Sequence, residues 1–223
     1  MRRYLFPLIL GIVGCAILIS LGLWQLQRLD WKERMLDEIR AGIEAPPVPL
    51  PDAVDPSMKY LPVTVSGTTS GTEIDMLSGS KDQGGGYQVI SRFITDDGRA
   101  ILLDRGFIPQ ELRLQRRPPV RLTVTGNLHW PDEKGSATPA PNLDENIWFA
   151  RDVPAMAQTL GTEPVLVVAR QIEGDSQGAT PIPVAVEGIP NNHLSYALQW
   201  FMIAAVWAGM TGVLIWRIRQ RSY

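Results

Sequence analysis

Cysteine is almost missing from this chain: Cys15 stands alone among 223 residues. A single thiol excludes a disulfide framework and a zinc centre built on cysteines. Histidine is nearly as scarce, with only His129 and His193, so neither an acyl-transfer triad nor a metal-hydrolase motif can be assembled. The formal net charge of −2 gives no electrostatic case for nucleic acid. No internal repeat is present. Charge is the most unevenly spread property, being absent from Leu5 to Leu26 and again from Leu194 to Trp216.

Each uncharged run would span roughly 33 Å as a helix, enough for a bilayer core of about 30 Å. Trp24 and Trp31 mark one end of the first run, and Trp216 and a basic tail the end of the second, as interfacial residues do. The expectation is a cytoplasmic N-terminus (1–4), a transmembrane helix (5–26) continuing to about 42, and an extracytoplasmic β-rich domain (43–192). A second transmembrane helix (193–216) and a cytoplasmic tail (217–223) complete it. Arg217, Arg219 and Arg221 follow the second span, whereas no Lys or Arg lies between Gln171 and His193; that asymmetry places the C-terminus inside. The apolar run is too long for a signal peptide, and Ile12–Cys15, which has the look of a lipoprotein box, is followed by more apolar residues. With no transit-type leader, the expected location is a bacterial inner membrane.

Between the spans, Ala45–Pro62 is proline-dense and reads as a stiff extended connector over the domain surface. Period-two patterning then marks strands at Leu61–Gly67, Thr72–Leu77, Gly86–Thr95, Arg99–Ile108, Val120–Leu128 and Pro164–Ile172. Asp97-Gly98 predicts a tight hairpin. Asp152 to Gly161 predicts a short helix with an aspartate cap and a glycine stop. The fold class is therefore α+β: two membrane helices flank a mostly antiparallel, barrel-like domain with one short helix. The triple glycine in Ser78–Tyr87 reads as a flexible hairpin loop. Arg113, Arg116, Arg117 and Arg121 read as a solvated turn, and His129 as a structural residue.

His193 opens the second span, after Asn191 and Asn192, either of which can cap the helix. At helical spacing His193, Tyr196, Ala197, Trp200, Ala204 and Trp207 share one face. Such a face could present an axial imidazole to haem iron between aromatic walls; equally, aromatics gather at membrane interfaces without any cofactor. Gly11, Gly14, Cys15, Leu18, Gly22 and Gln25 form a small-residue face on the first span, suited to packing against the second. Arg28 and Lys32, one turn apart, can pair with haem propionates or snorkel to lipid phosphates.

Four segments occur in order: LGLWQLQRLDWK (Leu21–Lys32), GGGYQV (Gly84–Val89), LLDRGFIP (Leu102–Pro109) and NNHLSYALQWF (Asn191–Phe201). Together the chain resembles the Surfeit locus protein 1 family over nearly its whole length. Two departures mark it as divergent: Phe107 replaces the family's usual Trp after Arg105-Gly106, and Gln199 its usual Thr before Trp200. The resemblance implies an assembly factor for haem–copper cytochrome c oxidase that catalyses no reaction. It implies that haem a is received from haem a synthase and passed to oxidase subunit I, with His193 as the axial iron ligand. Tyr196, Trp200, Arg28 and Lys32 would surround the haem. A low-spin iron would need a second ligand from water, Met202 or a partner. A cofactor-free scaffold for oxidase subunits is the competing expectation. A sensor lacks a signalling module, and an enzyme lacks a catalytic constellation.

Overall fold

The computed structural model describes residues 2–80, 84–186 and 189–220. It divides into two units, the helical segments Met1–Glu38 and Val186–Tyr223, and the β-rich segment Ile39–Ala185. The expected loop tip at residues 81–83 lies outside the described residues.

Helix α1 runs from Arg2 to Glu44, and the last helix, α3, from His193 to Gln220. Both are long and apolar enough to cross a membrane. The side chains of Phe6, Ile12, Ile17, Leu198, Val206 and Leu214 are largely uncovered. In water so much apolar surface would be costly; in a bilayer it is the contact surface. The two helices meet along the small-residue face. A Cβ on Gly22 would come within 2.5 Å of Phe201 Cε1, and one on Gly14 within 2.6 Å of Trp207 Cε2. Gly11 gives way in the same manner to Thr211, and Cys15 Sγ lies 3.8 Å from the Ala204 carbonyl. Glycine here removes the atom that would hold the helices apart. Gly14→Leu is accordingly expected to loosen the pair by about 1–3 kcal/mol. Spin labels on the exposed Ile17 and Val206 positions in detergent would report a longer, broader distance.

Among the described residues the β unit has seven strands: β1 (Val48–Pro49), β2 (Pro62–Ser80), β3 (Gly84–Thr95), β4 (Ala100–Pro109), β5 (Arg121–Leu128), β6 (Ile147–Trp148) and β7 (Leu166–Glu173). Neighbour pairing runs β2-β3-β4-β7-β5 and returns to β2, which closes a five-stranded barrel. Within the ring only β4–β7 is parallel. Closure follows from the length of β2. Its first half pairs with β5 (Pro62↔Asn127 to Thr68↔Arg121), and its second half continues along β3 to Ser80↔Gly84. The two expected strands Leu61–Gly67 and Thr72–Leu77 are thus one. Between them Gly71, at φ +78°, sits where the β2–β3 register shifts between Thr69 and Glu73, a bulge that bends the strand without ending it.

Strand alternation divides the core. Ile101 and Leu103 of β4 join Val63, Val65, Phe93, Leu122, Val124, Val167 and Ala169 in a cluster contributed by all five ring strands, the barrel interior. Leu102, between them, points outward and packs with Ile74, Ile90, Leu166 and Val168 under helix α2 (Val153–Leu160). Helix α2 has the expected ends: the Asp152 carboxylate accepts from Ala155 N at 3.2 Å, and Gly161 adopts φ +64°. Asp97-Gly98 makes the β3–β4 turn, with Gly98 at φ +86° and Gly98 N donating to Thr95 O. In the connector, β1 pairs in parallel with Val63 and Thr64 of β2.

The arginine run is a solvated turn only in part. Arg117 is buried; it ion-pairs with Glu73 at 2.6 Å and donates to the Leu112 carbonyl. Arg113 pairs with Asp75 at 3.3 Å, whereas Arg116 and Arg121 are exposed as expected, Arg121 with a surface ion pair to Asp96 at 2.8 Å. The acidic partners on β2 lie some 40 residues earlier, so a local reading does not find them.

Candidate functional site

The LLDRGFIP and GGGYQV segments pair as neighbouring strands, with Gly86↔Pro109, Tyr87↔Ile108 and Gln88↔Phe107 in register. Gly86 has no side chain where the Phe107 ring lies, since a Cβ there would approach Phe107 Cζ to 2.5 Å. Arg105 and Gly106 lie within the expected strand Arg99–Ile108. They occupy the middle of β4, where the register between Gln88 and Ile90 slips by one and Gly106 takes φ +100°, a bulge. The fully buried Asp104 accepts from Gly106 N at 2.9 Å and ion-pairs with Arg151 at 3.3 Å. Arg105, almost wholly enclosed, donates to Ser176 O at 2.6 Å and Gln177 Oε1 at 3.0 Å, with Glu73 at 3.9 Å. These groups tie strands and loops together and hold one another's charges.

His129 belongs to the same buried system. Its ring lies 5.6 Å from that of Tyr60, and its Nδ1 is buried without a partner. Burial, reinforced by the positive charges of Arg151 and Lys59, lowers its pKa from 6.5 to about 4. It is therefore an enclosed, neutral structural residue. The unfolded chain takes up a proton near pH 6.5 while the folded one resists until about 4, so stability falls as pH drops through this window. The loss is on the order of 3 kcal/mol at most. Glu133 acts in the same direction: burial raises its pKa, but hydrogen bonding and charge from Arg151 outweigh that and hold it low. Burial raises Asp104 and opposes both. Urea titrations between pH 7.5 and 4 should show a shallower pH slope for His129→Gln than for wild type.

The helical unit presents the other histidine. His193 is the first residue of α3 and half-buried, and its Nδ1 lies 2.8 Å from Gln25 Oε1 on α1. Gln25 is the long polar member of the glycine-rich face. Among the described residues Nε2 has no hydrogen-bond partner and is not enclosed. The six residues expected on one face of α3 divide. Ala197 and Ala204 are buried, Ala204 against Cys15 of α1; Trp200 and Trp207 are half-buried, Trp207 against Gly14; and Tyr196 is 52 % exposed. Arg28 is exposed and stacks over Trp31 at 4.4 Å, whereas Lys32 is half-buried two turns beyond Gln25. Among the described residues neither has a recorded contact with His193. Met202 lies nine residues from His193, on the opposite side of an α-helix, and is exposed; it cannot face the same iron as His193 of its own chain.

The donor chemistry suits a haem iron. A carboxamide oxygen on Nδ1 leaves Nε2 as the coordinating nitrogen, the arrangement metal-bound histidines usually show. The space is more restrictive. Phe201 and Trp207 fill the positions over Gly22 and Gly14, so no flat ring can lie between the helices along the glycine face. A macrocycle on His193 would have to approach from the open flank bearing Tyr196 and Trp200.

A closed mixed-strand barrel bracketed in sequence by two apolar helices, with one imidazole at the start of the second, defines a class of membrane-anchored β domain. A model described as the SURF1 family matches residues 12–205, and the chain belongs to that family. It is 28 % identical to Surfeit locus protein 1 of Rattus norvegicus over 85 % of this chain and 69 % of that protein. The Homo sapiens protein of the same name is 29 % identical over 83 % and 70 %. The SURF1-like protein of Drosophila melanogaster is 27 % identical over 85 % and 71 %.

Proposed function

We propose that this protein is a non-enzymatic assembly factor for haem–copper cytochrome c oxidase that takes haem a as cargo. In this reading it sits in a bacterial inner membrane with both termini cytoplasmic and the barrel periplasmic. It receives haem a from haem a synthase and assists its insertion into subunit I. His193 Nε2 is the axial ligand at the outer membrane interface, with Tyr196 and Trp200 beside the ring. Lys32 and Arg28 are the cations available to propionates, Lys32 being the better placed on the His193 side of α1. Family membership supports the assembly role. The observation that carries the haem reading is the His193–Gln25 pair, which leaves a ligand nitrogen open on a half-buried imidazole.

The filled glycine face favours a second reading: a scaffold that holds oxidase subunits through protein contacts alone. The purified protein separates the two. A Soret band with haem a character, quantified as pyridine haemochrome, supports the carrier; a colourless protein that still co-purifies with oxidase subunits supports the scaffold.

A further inference from the structure

The contact between Gln25 and His193 has a direction. Gln25 Oε1, 2.8 Å away, is an oxygen that can only accept, and His193 completes this hydrogen bond in the tautomer that carries the ring proton on Nδ1. The lone pair is then on Nε2, the nitrogen without a partner among the described residues. Gln25 is itself half-buried on α1, one turn beyond Gly22 and its contact with Phe201. Its side chain is thus presented from the packed side of the helix pair.

We propose that Gln25 is a positioning residue that locks His193 in the Nδ1–H tautomer and aims Nε2 at the open flank for iron. This rests on the haem reading above. Ordinary polar adhesion between helices would be served by either ring nitrogen; a positioning role requires one tautomer and predicts how the iron–imidazole bond responds. With iron bound, a hydrogen bond from Nδ1–H to an acceptor makes the imidazole a stronger donor to the metal. Glutamate at position 25 would keep the acceptor and increase that push. Leucine would keep the bulk and remove the acceptor, leaving the ring free to turn and to move its proton.

The test uses the full chain in detergent, with haemin as probe. Nitrogen-15 NMR of the haemin-free protein should show His193 as Nδ1–H in wild type and Gln25→Glu, and a mixture or Nε2–H in Gln25→Leu. Haemin affinity should fall about 10- to 100-fold in Gln25→Leu and be retained in Gln25→Glu. In the reduced, haem-loaded proteins the iron–histidine stretch should move down in Gln25→Leu and up in Gln25→Glu. An Nε2–H wild-type ring, or a tautomer unchanged in Gln25→Leu, overturns the inference. Haemin binding unchanged in His193→Ala overturns the haem reading instead, and the NMR result distinguishes the two failures.

Discussion

Gly106→Ala is expected to destabilise the barrel by about 3 kcal/mol or more, a large share of a small domain's stability. Two costs add. The first is conformational: φ is +100° at this bulge, and an L side chain in positive-φ backbone costs about 1–2 kcal/mol. The second is collision. An added Cβ would lie 2.5 Å from Pro181 Cα and 2.6 Å from the Thr180 carbonyl carbon, and both neighbours are backbone. Relief requires parting Phe107 from Thr180, which exchange two hydrogen bonds of 2.8 Å, each worth about 1 kcal/mol net. Displacing β4 would also disturb Asp104, whose carboxylate depends on Gly106 N. Urea unfolding followed by tryptophan fluorescence measures the loss. Gly42→Ala is the control, because its added methyl meets nothing within 4 Å in helix α1 and should be neutral or slightly stabilising. Equal midpoints for the two variants would contradict the steric account.

His193→Ala is expected to remove at least nine-tenths of the haem a that co-purifies with the protein, as follows from the proposed carrier role. Loss of the axial nitrogen leaves only apolar and propionate contacts to retain the ring. Those contacts would hold haem non-specifically, as detergent does. Pyridine haemochrome stoichiometry gives the number, and far-ultraviolet circular dichroism checks that both helices persist. His129→Gln serves as the matched control. Its ring is enclosed beside Tyr60, so haem content should stay at the wild-type level. Equal stoichiometry in His193→Ala and wild type would remove the carrier reading and leave the scaffold.

Much of the fold was legible in local pattern. Period-two runs located the ring strands because each alternates between barrel interior and outer cluster, as Ile101, Leu102 and Leu103 do. The expected strands Leu61–Gly67 and Thr72–Leu77 were read as separate because the alternation lapses at Ser70-Gly71, and a bulge and a strand break use the same residues; only the pairing of β2 with both β3 and β5 distinguishes them. Two-residue strands such as β1 and β6 are too short to carry a period. At the site, His193 stood out as the histidine bordering an uncharged run. Gln25 did not, since its significance depends on helix register: it is 168 residues away in the chain and 2.8 Å away in space. Its place as the long polar side chain on a glycine-rich face was the available clue. Arg105 and Arg117 were hidden for the same reason, their partners coming from distant segments.

The parallel β4–β7 contact carries a consequence for biogenesis. β7 pairs with both β4 and β5, so the ring stays open until residues 166–173 have been synthesised and delivered. A chain stopped before Leu166 would expose two unsatisfied strand borders and leave open both apolar clusters that Leu166, Val167, Val168 and Ala169 complete, a template for aggregation. Bringing β4 and β7 together also requires contacts between residues more than 60 positions apart, which slows folding. Cells expressing this protein should therefore accumulate protease-sensitive, partly folded chains whenever translation is interrupted ahead of that last strand.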